Sequence, residues 1–187
     1  MDRNESTPRQ GKPVASAAVW ALPRRTVIPR HGDEMSMLQA YLEHYRETFD
    51  LKCAGVAPER LSERSAAPSS MSLHGLARHL AGVERWWFAT NFAGLELPML
   101  YYTDEDPDQD FESLEGDPLE ALRVWREECE RSREIVEQAS GLDQVGAVER
   151  HGSYTLRWLM LHMIVEYAQH DGHADLLREG IDGAVGA

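Results

Sequence analysis

The sequence is short of the features that most quickly assign a function. Two of its 187 residues are cysteine, Cys53 and Cys129, and they lie far apart without a CxxC or Cys/His neighbour. That argues against a disulfide framework or a cysteine-built zinc site. It leaves two reduced, buried and inert thiols, the pattern of a cytoplasmic protein. No apolar run approaches the roughly 20 residues of a membrane span. Basic residues are scarce: 19 Lys plus Arg stand against 32 Asp plus Glu, a formal charge of −13. Nucleic acids and anionic membrane surfaces are held by clustered cations, so the deficit argues against both as partners. A GxSxG elbow, a phosphate-binding glycine loop and a dinucleotide fingerprint are all missing. Nothing marks either cysteine as an activated thiolate.

What is present is helical periodicity, and the chain is long enough for one domain with a real core. Residues 1–32 read as a flexible or loosely docked arm with Trp20 and Leu22 as its anchors. The stretch VASAAVWAL after Lys12 is a poor signal peptide, because Pro23, Arg24 and Arg25 follow at once without a small-residue cleavage site. Residues 33–187 form the folded unit. A first helix is expected from about Glu34 to Ala54, capped by Asp33 and stopped by Gly55. A second runs from about Ser72 to Phe92. A third starts at Asp117-Pro118, a good cap and first-turn pair, and continues to about Ala139. A fourth runs from about Thr155 to Arg178 and ends at Gly180. No segment alternates like a strand. The fold class is therefore all-α, a four-helix bundle with a long linker, residues 93–116, between the second and third helices.

That linker alternates Asp104, Asp106, Asp108 and Asp110. A calcium loop would need glycine at its sixth position, where Gln109 stands, and flanking helices of the right kind. A solvated acidic loop is the expectation, with Leu100, Tyr101 and Tyr102 available to fold over one end of the bundle.

The concentrated chemistry lies in the fourth helix. With His162 as origin, each residue advancing about 100°, Glu166 falls near about 40°, His170 near about 80° and His173 near about 20°. All four share one quarter of the helix. Glu166 and His170 are one turn apart and can meet. A carboxylate and an imidazole so placed can hold one metal ion, and bundle metal sites take a further ligand from a facing helix. The second helix offers His74 and His79. His79 lies in the apolar stripe beside Leu76, Leu80 and Val83, whereas His74 lies near the helix start and is expected to face water. Arg78 and Arg85 are expected to point outward. Spacing alone leaves two alternatives open: a metal site, or core histidines with ordinary hydrogen-bonded partners.

The stretches SLHGLARHLAGVERWWF and LRWLMLHMIVEYAQHDGHADLLREGIDG resemble the DinB-like superfamily, in its branch of small bacterial proteins. The resemblance spans roughly residues 33 to 184 and implies a bundle with a divalent metal near one end. Zinc or nickel is the usual ion, with iron or manganese as alternatives. It places the ligands on His79, Glu166 and His170. Many members carry histidine where Glu166 stands, and the His–Glu–His set here is similar to that of the mycothiol-dependent maleylpyruvate isomerases. By the same resemblance His162 and His173 would orient a ligand or line the cavity. The implied activity is that of a metal-dependent enzyme using a small thiol such as mycothiol, an S-transferase or isomerase. A metal-dependent hydrolase and a non-catalytic, stress-related metal-binding bundle are the alternatives, and a homodimer is compatible with each. The expected partner is a small-molecule substrate or thiol.

Overall fold

The computed structural model describes residues 25–148 and 152–186. Trp20 and Leu22, the expected anchors of the N-terminal arm, lie outside the described residues. From Arg25 onward the arm lies along the first helix. The Arg25 guanidinium donates to the Thr48 hydroxyl at 2.8 and 3.1 Å, and the Thr26 carbonyl meets His44 Nδ1 at 2.9 Å.

Helix α1 spans Glu34–Cys53. Asp33 caps it, its carboxylate accepting from the Ser36 N–H at 3.0 Å. Gly55, at φ 78°, allows the reversal that follows. After a 3₁₀ turn over Pro58–Arg60, helix α2 spans Leu73–Glu84 with Ser72 as its cap. The chain then keeps winding over Arg85–Phe92, but as a wider π-helix. The sequence pattern shows one continuous helix here; the change of winding has an identifiable partner in Asn91, whose side-chain amide donates to the Trp86 carbonyl at 2.6 Å. Within the linker a single helical turn, α3, spans Gln109–Glu112. Helix α4 spans Pro118–Gln138, with Asp117 accepting from the Leu119 N–H at 2.9 Å. Helix α5 spans Leu156–Asp182, a little beyond the expected end, and stops at Gly183 at φ 78°.

The protein is all-α among the described residues; the one extended pairing is an isolated bridge between Val145 and Thr155. Helix α1 packs on α5, α2 packs on α4, and α2 meets α5 across the middle. Phe49, Leu76, Leu80, Phe88, Leu122, Leu159 and Met163 are all buried between these helices. Each such side chain contributes about 1.5–3 kcal/mol on burial, so the fold is held by its core rather than by any single polar contact. Both cysteines are free and buried, as expected, and burial pushes each thiol pKa well up. No helix of the described residues is long and apolar enough to cross a membrane.

The position of the linker rests on two glycines of α2. A Cβ on Gly82 would come within 2.7 Å of Tyr102 Cε1, and one on Gly75 within 3.1 Å of Phe111 Cδ1. The two glycines are seven residues apart and so share a face, with His79 between them. Their missing side chains let the linker lie directly on α2.

Candidate metal centre

His79 on α2 faces Glu166 and His170 on α5. His79 Nε2 and His170 Nε2 each stand 3.3 Å from the same oxygen, Glu166 Oε1. One donor atom from each residue lies within 4.8 Å of the other two. The imidazole centroids of His79 and His170 are 4.7 Å apart. Four ligands about 2.0–2.1 Å from a tetrahedral ion stand about 3.3–3.4 Å from one another, so both His–Glu contacts already have the length of a coordination edge. Two imidazole nitrogens and one carboxylate oxygen are a donor set suited to zinc, nickel, iron or manganese. The three side chains are partly buried, at 23%, 22% and 13% exposure for His79, Glu166 and His170. The arrangement is thus reachable from solvent.

Behind His79 stands Asp110, in the turn α3. Its Oδ2 lies 2.8 Å from His79 Nδ1, and the residue is 1% exposed. The opposite Asp110 oxygen has no hydrogen-bond partner among the described residues. Phe111 packs on the His79 ring with centroids 4.9 Å apart. The carboxylate and the ring together fix the imidazole plane and aim Nε2 at Glu166. Asp104, Asp106 and Asp108 are exposed as expected. Asp110 departs from the solvated-loop expectation, because the linker returns to the core at Phe111. Its place beside His79 was missed in the sequence; the one available signal is that apolar residue following an acidic run.

The electrostatics follow from this stacking of carboxylate, imidazole and carboxylate. Burial disfavours charge on His79, but hydrogen bonds to Asp110 and Glu166 outweigh it and lift its pKa to about 9. Glu166 is held well below the ordinary carboxylate range, chiefly by its contacts with His170 and His79. Protein groups alone thus stabilise a proton where the donor atoms converge, and a cation of higher charge would compete for the same place.

The other histidines separate. His173 is beyond His170, the two Nδ1 atoms 3.4 Å apart, so it touches the side of that ring turned away from Glu166. His162, one turn before Glu166, points into an aromatic group: its ring is stacked on Trp158 at 4.9 Å and meets Trp87 at 4.5 Å. Burial lowers the pKa of both.

Two orientation expectations on α2 are corrected. His74 does not face water; it is 2% exposed, and its Nδ1 lies 2.9 Å from the Ser62 hydroxyl. Arg78 is 5% exposed, packs over the Tyr101 ring at 4.7 Å and donates to the Gln109 and Ser113 carbonyls. Arg85 turns to α4 and pairs with Glu128 at 2.6 Å. Helical periodicity gives the outer face of α2 correctly, but the connections on both sides of it fold back and cover that face.

No curated protein and no solved structure matches the chain. Residues 37–183 match the family described as Mycothiol-S-transferase, a span that takes in nearly all of the four long helices and the linker carrying Asp110. The chain therefore belongs to the mycothiol S-transferase family, within the DinB-like superfamily.

Proposed function

We propose that this protein is a metal-dependent S-transferase on a DinB-like four-helix bundle, with mycothiol as its thiol substrate and zinc or nickel as its ion. The observation that carries this is the convergence of His79 Nε2 and His170 Nε2 on one oxygen of Glu166 at 3.3 Å. His79, Glu166 and His170 would hold the ion. A divalent ion with three protein ligands lowers the pKa of a thiol at its open position, so that the thiolate is available near neutral pH. The chain's own part is positional. Asp110 accepts the Nδ1–H of His79, which leaves Nε2 as the ligand atom. His173 contacts the far nitrogen of His170. Glu166 supplies one negative charge, which leaves the centre net positive toward an incoming thiolate.

The test is metal content of the protein as isolated, with His79→Ala, Glu166→Ala and His170→Ala beside it, followed by mycothiol consumption with an electrophilic acceptor. About one equivalent of metal in wild type, strongly reduced in all three variants with unchanged helicity, is the expected result. The variants should stay folded because the ligands are partly exposed and lie outside the apolar core. Wild-type protein that takes up none of zinc, nickel, iron or manganese would end this reading. Bound metal without thiol consumption would favour a metal-binding bundle over an S-transferase.

A further inference from the structure

The seam between α2 and α5 does not end at the three ligands. The helices run antiparallel there, so moving from His79 on α2 to Trp87 in the π-helix that continues it corresponds to moving from Glu166 back toward Trp158 on α5. The seam ends in a group of rings. His162 is stacked on Trp158 with an interplanar angle of 7°. Trp87 meets His162 edge-on at 4.5 Å and Trp158 at 5.6 Å. Tyr154 lies 5.2 Å from Trp158 and 5.6 Å from Trp87. At 1.5 Å per residue, this group begins roughly 6 Å from Glu166 along α5 and extends to roughly 12 Å. That is one small-molecule length from the ligand atoms.

A ring cluster that merely plugged the end of a bundle would be buried. Here Trp158 is 46% exposed, and a cavity of about 470 Å³ opens against it, lined by Trp87, Gly152, Ser153, Tyr154, Thr155 and Trp158. That is the size of an ordinary small-molecule pocket. Its described lining carries hydroxyls, rings and backbone but no charged side chain. Such a surface discriminates by flatness: it offers stacking area on rigid rings.

We propose that the wall formed by Trp87, Tyr154 and Trp158, with His162 stacked on Trp158, is the subsite for the acceptor substrate, and that it selects compounds presenting a flat, unsaturated ring. This rests on the S-transferase reading for its role in a reaction, but the binding site itself stands on ring geometry, exposure and cavity alone. It divides the seam into a thiol end at the ligands and an acceptor end at the rings.

The test is equilibrium binding of coumarin, a flat uncharged probe, beside octahydrocoumarin, its saturated counterpart of similar size. Both are titrated by calorimetry into wild type, Trp158→Ala, Trp158→Phe and His170→Ala. The proposal expects coumarin to bind wild type at least tenfold more tightly than octahydrocoumarin. Trp158→Ala should weaken coumarin tenfold or more, and Trp158→Phe should recover most of that loss. His170→Ala removes a proposed ligand and leaves the rings alone, so it should stay within about twofold of wild type; coumarin binding is thereby read separately from metal loading. Equal binding of the two probes, or no effect of Trp158→Ala, overturns the proposal, as does failure of coumarin to bind wild type at millimolar concentration.

Discussion

Helices α2 and α5 each carry a glutamate that faces the opposite helix, and the two carboxylates have opposite surroundings. Glu84 on α2 is 0% exposed. It takes two N–H donors from Arg46, at 2.8 and 2.6 Å, and the Tyr167 hydroxyl at 2.7 Å. Trp125 in turn donates to the Tyr167 oxygen at 2.8 Å, and Cys129 closes the set at 3.5 Å from that oxygen. Every strong donor there is permanently protonated near neutral pH, so the network is complete without a ligand. Glu166 on α5 is adjacent in sequence to Tyr167, but among the described residues it meets only imidazole nitrogens, which donate or accept according to protonation. The first carboxylate is closed by its neighbours. The second is met by groups that can give up their protons to a metal. Burial of a charged group does not by itself indicate function; the identity and protonation of its partners do.

The comparison is broken most severely by removing the cation from the closed side. Arg46 is 3% exposed and its pKa is raised well above the ordinary value, because the attraction of Glu84 outweighs the cost of burial. Arg46→Ala leaves Glu84 buried and without its charge partner, which costs about 3–5 kcal/mol. Urea unfolding should show a loss of that order, while the metal content of the folded variant stays near that of wild type. A loss of metal equal to that of His79→Ala would mean that the two carboxylates act as one network and would sink the distinction.

A milder change sharpens the open side. Asp110→Asn keeps the volume beside His79 but removes the carboxylate that accepts from Nδ1. Outer partners of this kind are worth about 10–100-fold in metal affinity. Competition with a chromophoric chelator should show a weakening in that range, with the urea midpoint shifted far less than by Arg46→Ala. An affinity unchanged within twofold would reduce Asp110 to a surface-closing residue.

Asp110 also marks where the sequence stops being informative. His79, Glu166 and His170 are legible because each sits on a long helix whose apolar stripe fixes which way it faces, and one-turn spacing brings Glu166 and His170 together. Ends of helices were equally readable where a cap is a single residue's chemistry, as at Asp33, Ser72 and Asp117. Asp110, His74 and Arg78 depend instead on connections that carry no period. Their burial follows from segments of the chain folding back on α2, and the enabling signal, Gly75 and Gly82, is steric room rather than a contact. The spread of His162, Glu166, His170 and His173 over one quarter of α5 was real, yet the facing ring of Trp87 and the ring of Trp158, one turn earlier on α5, divert His162 from the donor set.

The smallest effect expected is also the most specific to the open side, because it is a proton. In the metal-free protein His79 has its pKa raised from 6.5 to about 9. A raised imidazole pKa stabilises the folded state fully below the unfolded value, and that contribution is lost as pH rises through about 9. A metal requires the unprotonated Nε2, so below pH 9 loading must expel one proton. Apparent affinity should therefore rise about tenfold per pH unit between about 7 and 8.5 and level off above 9. Calorimetry of metal binding at pH 7.5 in two buffers of different ionisation enthalpy should count close to one proton released, and His79→Ala should lose that release along with most of the binding. Affinity that is flat across this range would show that His79 is already neutral beside its two carboxylates, and the contrast with the fully protonated donors around Glu84 would then have to rest on geometry alone.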